Sequence, residues 1–180
     1  MIYLRDSLSS SLVSLVSNFS IFLLYSFCER SYDSNAVCPF NIGHKQETLI
    51  KNISEKLQKH YASVFEQVCK ELLWDIHSDV GKIGRWWHGS EEIDIIGLNE
   101  EKNTILFGEC KWSKNKVDVE ILEDLKQKTK DVKWKKDRRK EKFILFSKSG
   151  FTKELEDVSK ENTNLELYDM NQLNKVVESK

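Results

Sequence analysis

No C-x-x-C pair occurs among Cys28, Cys38, Cys69 and Cys110, and no two histidines stand at zinc-finger distance. The sequence thus argues against a structural zinc site. No G-x-x-x-x-G-K-[ST] string is present, so there is no nucleotide-binding motif. No internal repeat appears. Charge of one sign is also missing: 28 basic against 29 acidic residues leave a net charge of -1. A uniformly basic nucleic-acid coat is excluded, and only a local basic patch remains open. Disorder is not the default, because the chain is 39% hydrophobic and 32% charged. Its 180 residues suffice for one domain with a real core and an appendage. Cys69 and Cys110 fall inside apolar periodic segments and read as buried free thiols, which points to a cytoplasmic location.

The sequence changes character near residue 40. Residues 8–27 are apolar, serine-rich and uncharged, long enough to span a bilayer, but the serines weaken that reading. A signal peptide is the other reading, weakened because Arg5 is cancelled by Asp6 and no A-x-A-like site follows. Residues 1–42 are taken as a leader, the remnant of a longer protein, with membrane association as the alternative. Residues 43–180 are the expected domain.

Within it, Leu49, Ile50, Ile53, Leu57, Tyr61, Val64, Phe65, Val68, Leu72 and Leu73 recur at helical spacing, with His60-Tyr61 as a joint between two helices. Three extended stretches follow, at 83–88, 91–98 and 104–112, the last two joined by a short turn at 99–103. A charged helix is expected over 117–132, a strand covered on both faces at 143–147, a helix at 152–161, a strand at 165–168 and a helix at 169–178. The order is α-β-β-β-α-β-α-β-α, a mixed α/β layer fold.

The chemistry concentrates in the middle. Alternation along TILFGECKW puts Glu109 and Lys111 on one face, and Asp94 on the preceding strand shares a face with Ile96 and Leu98. A hairpin brings Asp94 beside Glu109. Two carboxylates on apolar strands are costly unless a positive group compensates. A magnesium or manganese ion does so through oxygen ligands. Lys111 then holds the attacking water or offsets charge on a phosphate. Glu66, on the helix before the sheet, is a further candidate ligand. The ordinary reading of the same residues is an ion-pair cluster at a strand end.

Residues 126–142 hold ten Lys/Arg against three acids. Lys133, Trp134, Lys135, Lys136, Arg138 and Arg139 are its candidate nucleic-acid contacts, placed beside the acidic site. Gln127 or Lys128 could add a helix-borne group. For Trp86 and Trp87, base stacking competes with packing, one ring in the core and one under the helix. The four histidines show no metal or triad spacing.

Asp94, fourteen intervening residues and then Glu109-Cys110-Lys111, with Glu66 upstream, resemble the PD-(D/E)xK phosphodiesterases of the restriction-endonuclease-like fold, with Ile93 in the place of the motif's proline. VFEQVCKELL (64–73), IGRWW (83–87), EIDIIG (92–97), LFGECKW (106–112) and FSKSGFT (146–152) together resemble the C-terminal domain of the archaeal ATPase family. IYLRD (2–6) resembles the segment joining the two halves of such proteins. The resemblance implies a mixed central sheet flanked by helices and metal-dependent phosphodiester hydrolysis with Asp94, Glu109 and Lys111 as its catalytic group. It also implies a nucleic-acid substrate and, for a chain without the ATPase half, an ATPase partner. The competing expectation is a non-catalytic module that binds nucleic acid or an ATPase on the same fold.

Overall fold

The computed structural model describes residues 43–179; the leader and the apolar run at 8–27 lie outside them. The chain divides into two units, of which the second is Lys51–Ser179. The second unit carries the whole of the sheet.

Helix α1 spans Gly43–Ile76. It runs unbroken through His60 and Tyr61, so the expected joint is absent. Neither residue is glycine or proline, and their helix propensities fall only a few tenths of a kcal/mol, roughly, below the best formers. Phe65, Cys69, Leu72 and Leu73 recur at i, i+4, i+7 and i+8 and are buried as one stripe. Among the described residues no helix is long and apolar enough to cross a membrane.

Strands β1 (Lys82–His88), β2 (Glu91–Asn99), β3 (Thr104–Lys111), β4 (Lys140–Ser147) and β5 (Leu165–Asp169) form one sheet in that order. The first three are antiparallel, and β3, β4 and β5 are parallel. The parallel pairs need crossovers, supplied by α2 (Val119–Thr129) and α3 (Lys153–Glu161); α4 (Met170–Glu178) follows β5 directly. Asp169 closes β5 and opens α4 through a capping box with Gln172. This is the mixed α/β layer architecture, in the element order read from the sequence.

Two apolar layers sandwich the sheet. Ile105, Phe107, Phe143 and Leu145 pack with Leu122 and Leu125 of α2. Leu106, Ile144 and Phe146 pack with the α1 stripe. Strands β3 and β4 are thus buried on both faces, as the apolar run at 143–147 leads one to expect. The core leaves no room at Gly108, where an added Cβ would come within 2.9 Å of the Ile95 side chain and 3.1 Å of Ile144. The β2–β3 turn is held by Asn99, which accepts from the Lys102 amide at 2.9 Å and donates to the Asp79 carbonyl at 2.7 Å. Asn103 completes it at φ 52°, a conformation asparagine tolerates better than most residues.

Candidate active site

Strand β3 delivers Glu109 and Lys111 to the C-terminal end of the parallel strands, opposite Leu145 and Ser147 of β4. Glu109 is only 6% exposed. One of its oxygens lies 2.7 Å from the Lys111 ammonium, the other 3.4 Å from that of Lys128 on α2. A buried carboxylate survives here because two cations replace the water it has lost.

Asp94, also 6% exposed, arrives by a less regular route. Between Gly84↔Ile96 and Trp86↔Ile93 the β1–β2 register shifts, so three steps on β2 face two on β1. That extra residue breaks the alternation. Ile93 joins the α2-side cluster and Ile95 the α1-side one, although the two are two residues apart. Strict alternation along β2 therefore breaks between Ile93 and Ile95, with Asp94 at the break. Asp94 Oδ2 accepts from the Cys110 backbone N–H at 2.8 Å, which ties it to the stretch of β3 that carries Glu109 and Lys111.

Burial, then the neighbouring Glu109 charge, push the Asp94 carboxyl up to about 6; Glu66 adds to the rise, while the Cys110 N–H and Lys111 oppose it. For Lys111 burial pulls downward, but the hydrogen bond and charge of Glu109, joined by Asp94, leave it raised. Two carboxylates thus share one field, and it penalises their double ionisation. Their oxygens are the donor type that magnesium and manganese take, and a dication would relieve that penalty.

Glu66 stands near this pair, close enough to act on Asp94, but its carboxylate is bonded by Arg85 of β1. Among the described residues no group of three or more His, Cys, Asp or Glu side chains gathers as a metal cluster. The structure brings Asp94, Glu109 and Lys111 together, with Glu66 at one remove.

The basic run divides. Lys128 reaches the site, whereas Gln127 is bonded to Lys130 at 2.6 Å. Beyond it the chain turns away from the acid pair. Lys135 bonds Asn103 at 2.6 Å and the Lys140 amide bonds the Asn103 carbonyl. Asn103, in the turn just before β3, is six residues ahead of Glu109, about 20 Å at the strand rise. Lys135 and Lys140 of the strip therefore lie toward the N-terminal end of β3 and not beside the acid pair, because the connection from α2 returns to the N-terminal end of β4. Arg139 is not a surface contact either. Its side chain is 2% exposed and bonds the carbonyls of Thr129, Val132 and Trp134 and the Glu141 carboxylate. Trp134 packs against the core beneath Lys135, and Lys133, Lys136 and Arg138 are exposed. Trp86 also packs on the core, but Trp87 is 71% exposed rather than tucked under a helix.

Two cations near the site have no distinct signature in the sequence. Arg85 has only its place one strand away from Asp94 as a signal. Lys148 sits 4.4 Å over the Trp112 ring, next to the end of β3. Clefts of about 120 Å³, lined by His77, Asp79, Asn99 and Lys142 among others, and about 500 Å³, around Phe151 and Tyr168, lie away from the acid pair.

Residues 39–144 match the family DUF234, described as archaea bacterial proteins of unknown function. An uncharacterised protein of Methanocaldococcus jannaschii is 38% identical over 91 residues, covering 46% of this chain and 21% of that protein. The chain therefore spans about a fifth of the length of this relative. Among solved structures, a repair endonuclease from Pyrococcus abyssi is similar with a TM-score of 0.38 at 16% identity, covering 58% of this chain and 46% of its own. An EndoMS–dsDNA complex scores 0.38 at 15% identity, covering 58% and 44%.

Proposed function

The chain belongs to the DUF234 family, whose match takes in more than half of it, and on that footing we propose that its folded unit is a divalent-metal-dependent nuclease of the PD-(D/E)xK type. The observation that carries this reading is the convergence of Asp94, Glu109 and Lys111 at the end of β3, with Lys111 at 2.7 Å from Glu109. An interaction module on the same fold would have no need for two buried carboxylates working against each other.

Asp94 and Glu109 would hold a magnesium or manganese ion, which supplies Lewis acidity toward a phosphodiester oxygen when bound. The remaining work falls to the chain's own residues. Lys111 is kept protonated by Glu109 and stands where charge builds on the phosphate as water adds and the ester P–O bond breaks. Lys128 offsets the charge of Glu109 and gives the phosphate a second cation. Lys148 extends the positive surface next to the strand end. The apolar layers on either side of β3 keep the local dielectric low, which strengthens each of these interactions.

The finer family reading is that this unit is the nuclease-like C-terminal module of the archaeal ATPases, acting alone or with a separate ATPase. Five sequence strings support it, as does the much greater length of the Methanocaldococcus relative.

The test is cleavage of end-labelled single- and double-stranded DNA and RNA with magnesium or manganese. Wild type should cut at least one of them. Glu109→Gln and Lys111→Ala should each lose at least ~100-fold, while folding as wild type by circular dichroism. Cleavage that persists in both variants would remove the assignment.

A further inference from the structure

Arg85 pairs with two acids next to the candidate site, Glu66 and Glu92. From edge strand β1 its guanidinium bonds the Glu66 carboxylate of α1 and lies 3.7 Å from Glu92 of β2. Glu66, Asp94 and Glu109 are thus matched by three cations: Arg85, Lys111 and Lys128. The matching is uneven. Both lysines sit on Glu109, and Arg85 is the cation on Glu66. Their exposures differ as well. Glu109 is 7% exposed at its side chain, against 20% for Glu66 and 39% for Arg85. The Arg85–Glu66 pair is therefore the one that solvent and solutes can reach. A half-exposed ion pair is held weakly enough to exchange. A dication attracts a carboxylate more strongly than a guanidinium does. The planar fork of an arginine fits phosphate as well as it fits carboxylate.

Resting on the reading of Asp94 and Glu109 as a metal site, we propose that Arg85 is a positioning residue that competes with the divalent cation for Glu66. While Arg85 holds Glu66, that carboxylate is withheld from the site. When it lets go, Glu66 adds its charge to that of Asp94 and Glu109, and the freed guanidinium turns to a phosphate of the nucleic acid. Cation binding and phosphate binding then support each other through one side chain. The plainer role, a clamp pinning α1 to β1, predicts a loss of stability and nothing else.

The experiment is calorimetric titration of manganese into the full chain as wild type, Arg85→Ala, Arg85→Lys, Glu66→Gln and the Arg85→Ala/Glu66→Gln double variant, with melting temperatures alongside. Arg85→Ala should bind manganese roughly two- to fivefold more tightly, the scale of a lost half-exposed ion pair. Arg85→Lys should fall between Arg85→Ala and wild type. The gain should vanish in the Glu66→Gln background. Unchanged affinity in Arg85→Ala, with or without a lower melting temperature, would overturn the proposal. So would an equal gain in the Glu66→Gln background, since that is a general field effect and not competition. Absence of manganese binding in every protein, wild type included, would bring down the metal-site reading and this inference with it. Binding that ignores Arg85 would bring down this inference alone.

Discussion

Asp94 titrates near 6 because burial and the Glu109 carboxylate both work against its charge. The sign of the consequence follows from linkage. Between the ordinary aspartate value of 3.8 and about 6 the folded chain holds a proton that the unfolded chain has released, so stability falls as pH rises through that window. Asp94→Asn removes that loss. In chelator it should be more stable than wild type at pH 8, by about 3 kcal/mol at most from the size of the shift, and show no gain near pH 3. Denaturant melts at the two pH values check this. Asparagine keeps an acceptor for the Cys110 N–H, so that bond is not sacrificed. At the same scale, Lys111 and Glu109 were legible in the sequence, because a spacing of two on an apolar strand sets a common face. The partnership of Glu66 with Arg85 was not, since it depends on how a helix crosses an edge strand.

Strand β3 has little room for change. Gly108→Ala would press a methyl group against Ile95 and Ile144 from opposite sides. It should destabilise the protein by about 1–3 kcal/mol, read as a lower denaturant midpoint. The connection from α2 to β4 depends on Arg139, whose guanidinium holds three backbone carbonyls. Arg139→Ala leaves those acceptors without their donor and should cost about 2–3 kcal/mol, while Arg138→Ala on the exposed side stays within about 0.5 kcal/mol. Sequence composition could register that positive run but not its internal division, because which arginine turns inward is settled by the loop's own carbonyls. Elements were legible for a simpler reason. The period-two and period-3.6 apolar patterns survive in a sheet covered on both faces. The extra residue near Asp94 was not legible, since a register shift is a property of the pairing of two strands.

Taken as a whole, the molecule has almost no net charge, with 28 basic and 29 acidic residues, so any attraction for nucleic acid must come from where the charge sits. The fold splits the lysine-rich run, leaving Lys128 with Lys111 at the acid pair and carrying Lys135 toward the other end of β3. Binding of a labelled oligonucleotide in calcium should therefore weaken in Lys128→Ala and Lys148→Ala, with the salt slope falling by ~1 for each phosphate no longer neutralised. The Lys135→Ala/Arg138→Ala double variant should bind as wild type. Equal losses in both sets would mean that the substrate follows the whole basic run.

Whether the carboxylate pair is built to hold a metal is decided most simply by manganese titration of the full chain near pH 7.5, wild type against Asp94→Asn, followed by calorimetry. Wild type should bind and Asp94→Asn should not. The wild-type affinity should weaken as pH drops below about 6, where Asp94 takes up its proton. Wild type that binds no manganese, or Asp94→Asn that binds it equally well, would show that Asp94 and Glu109 are not a metal site.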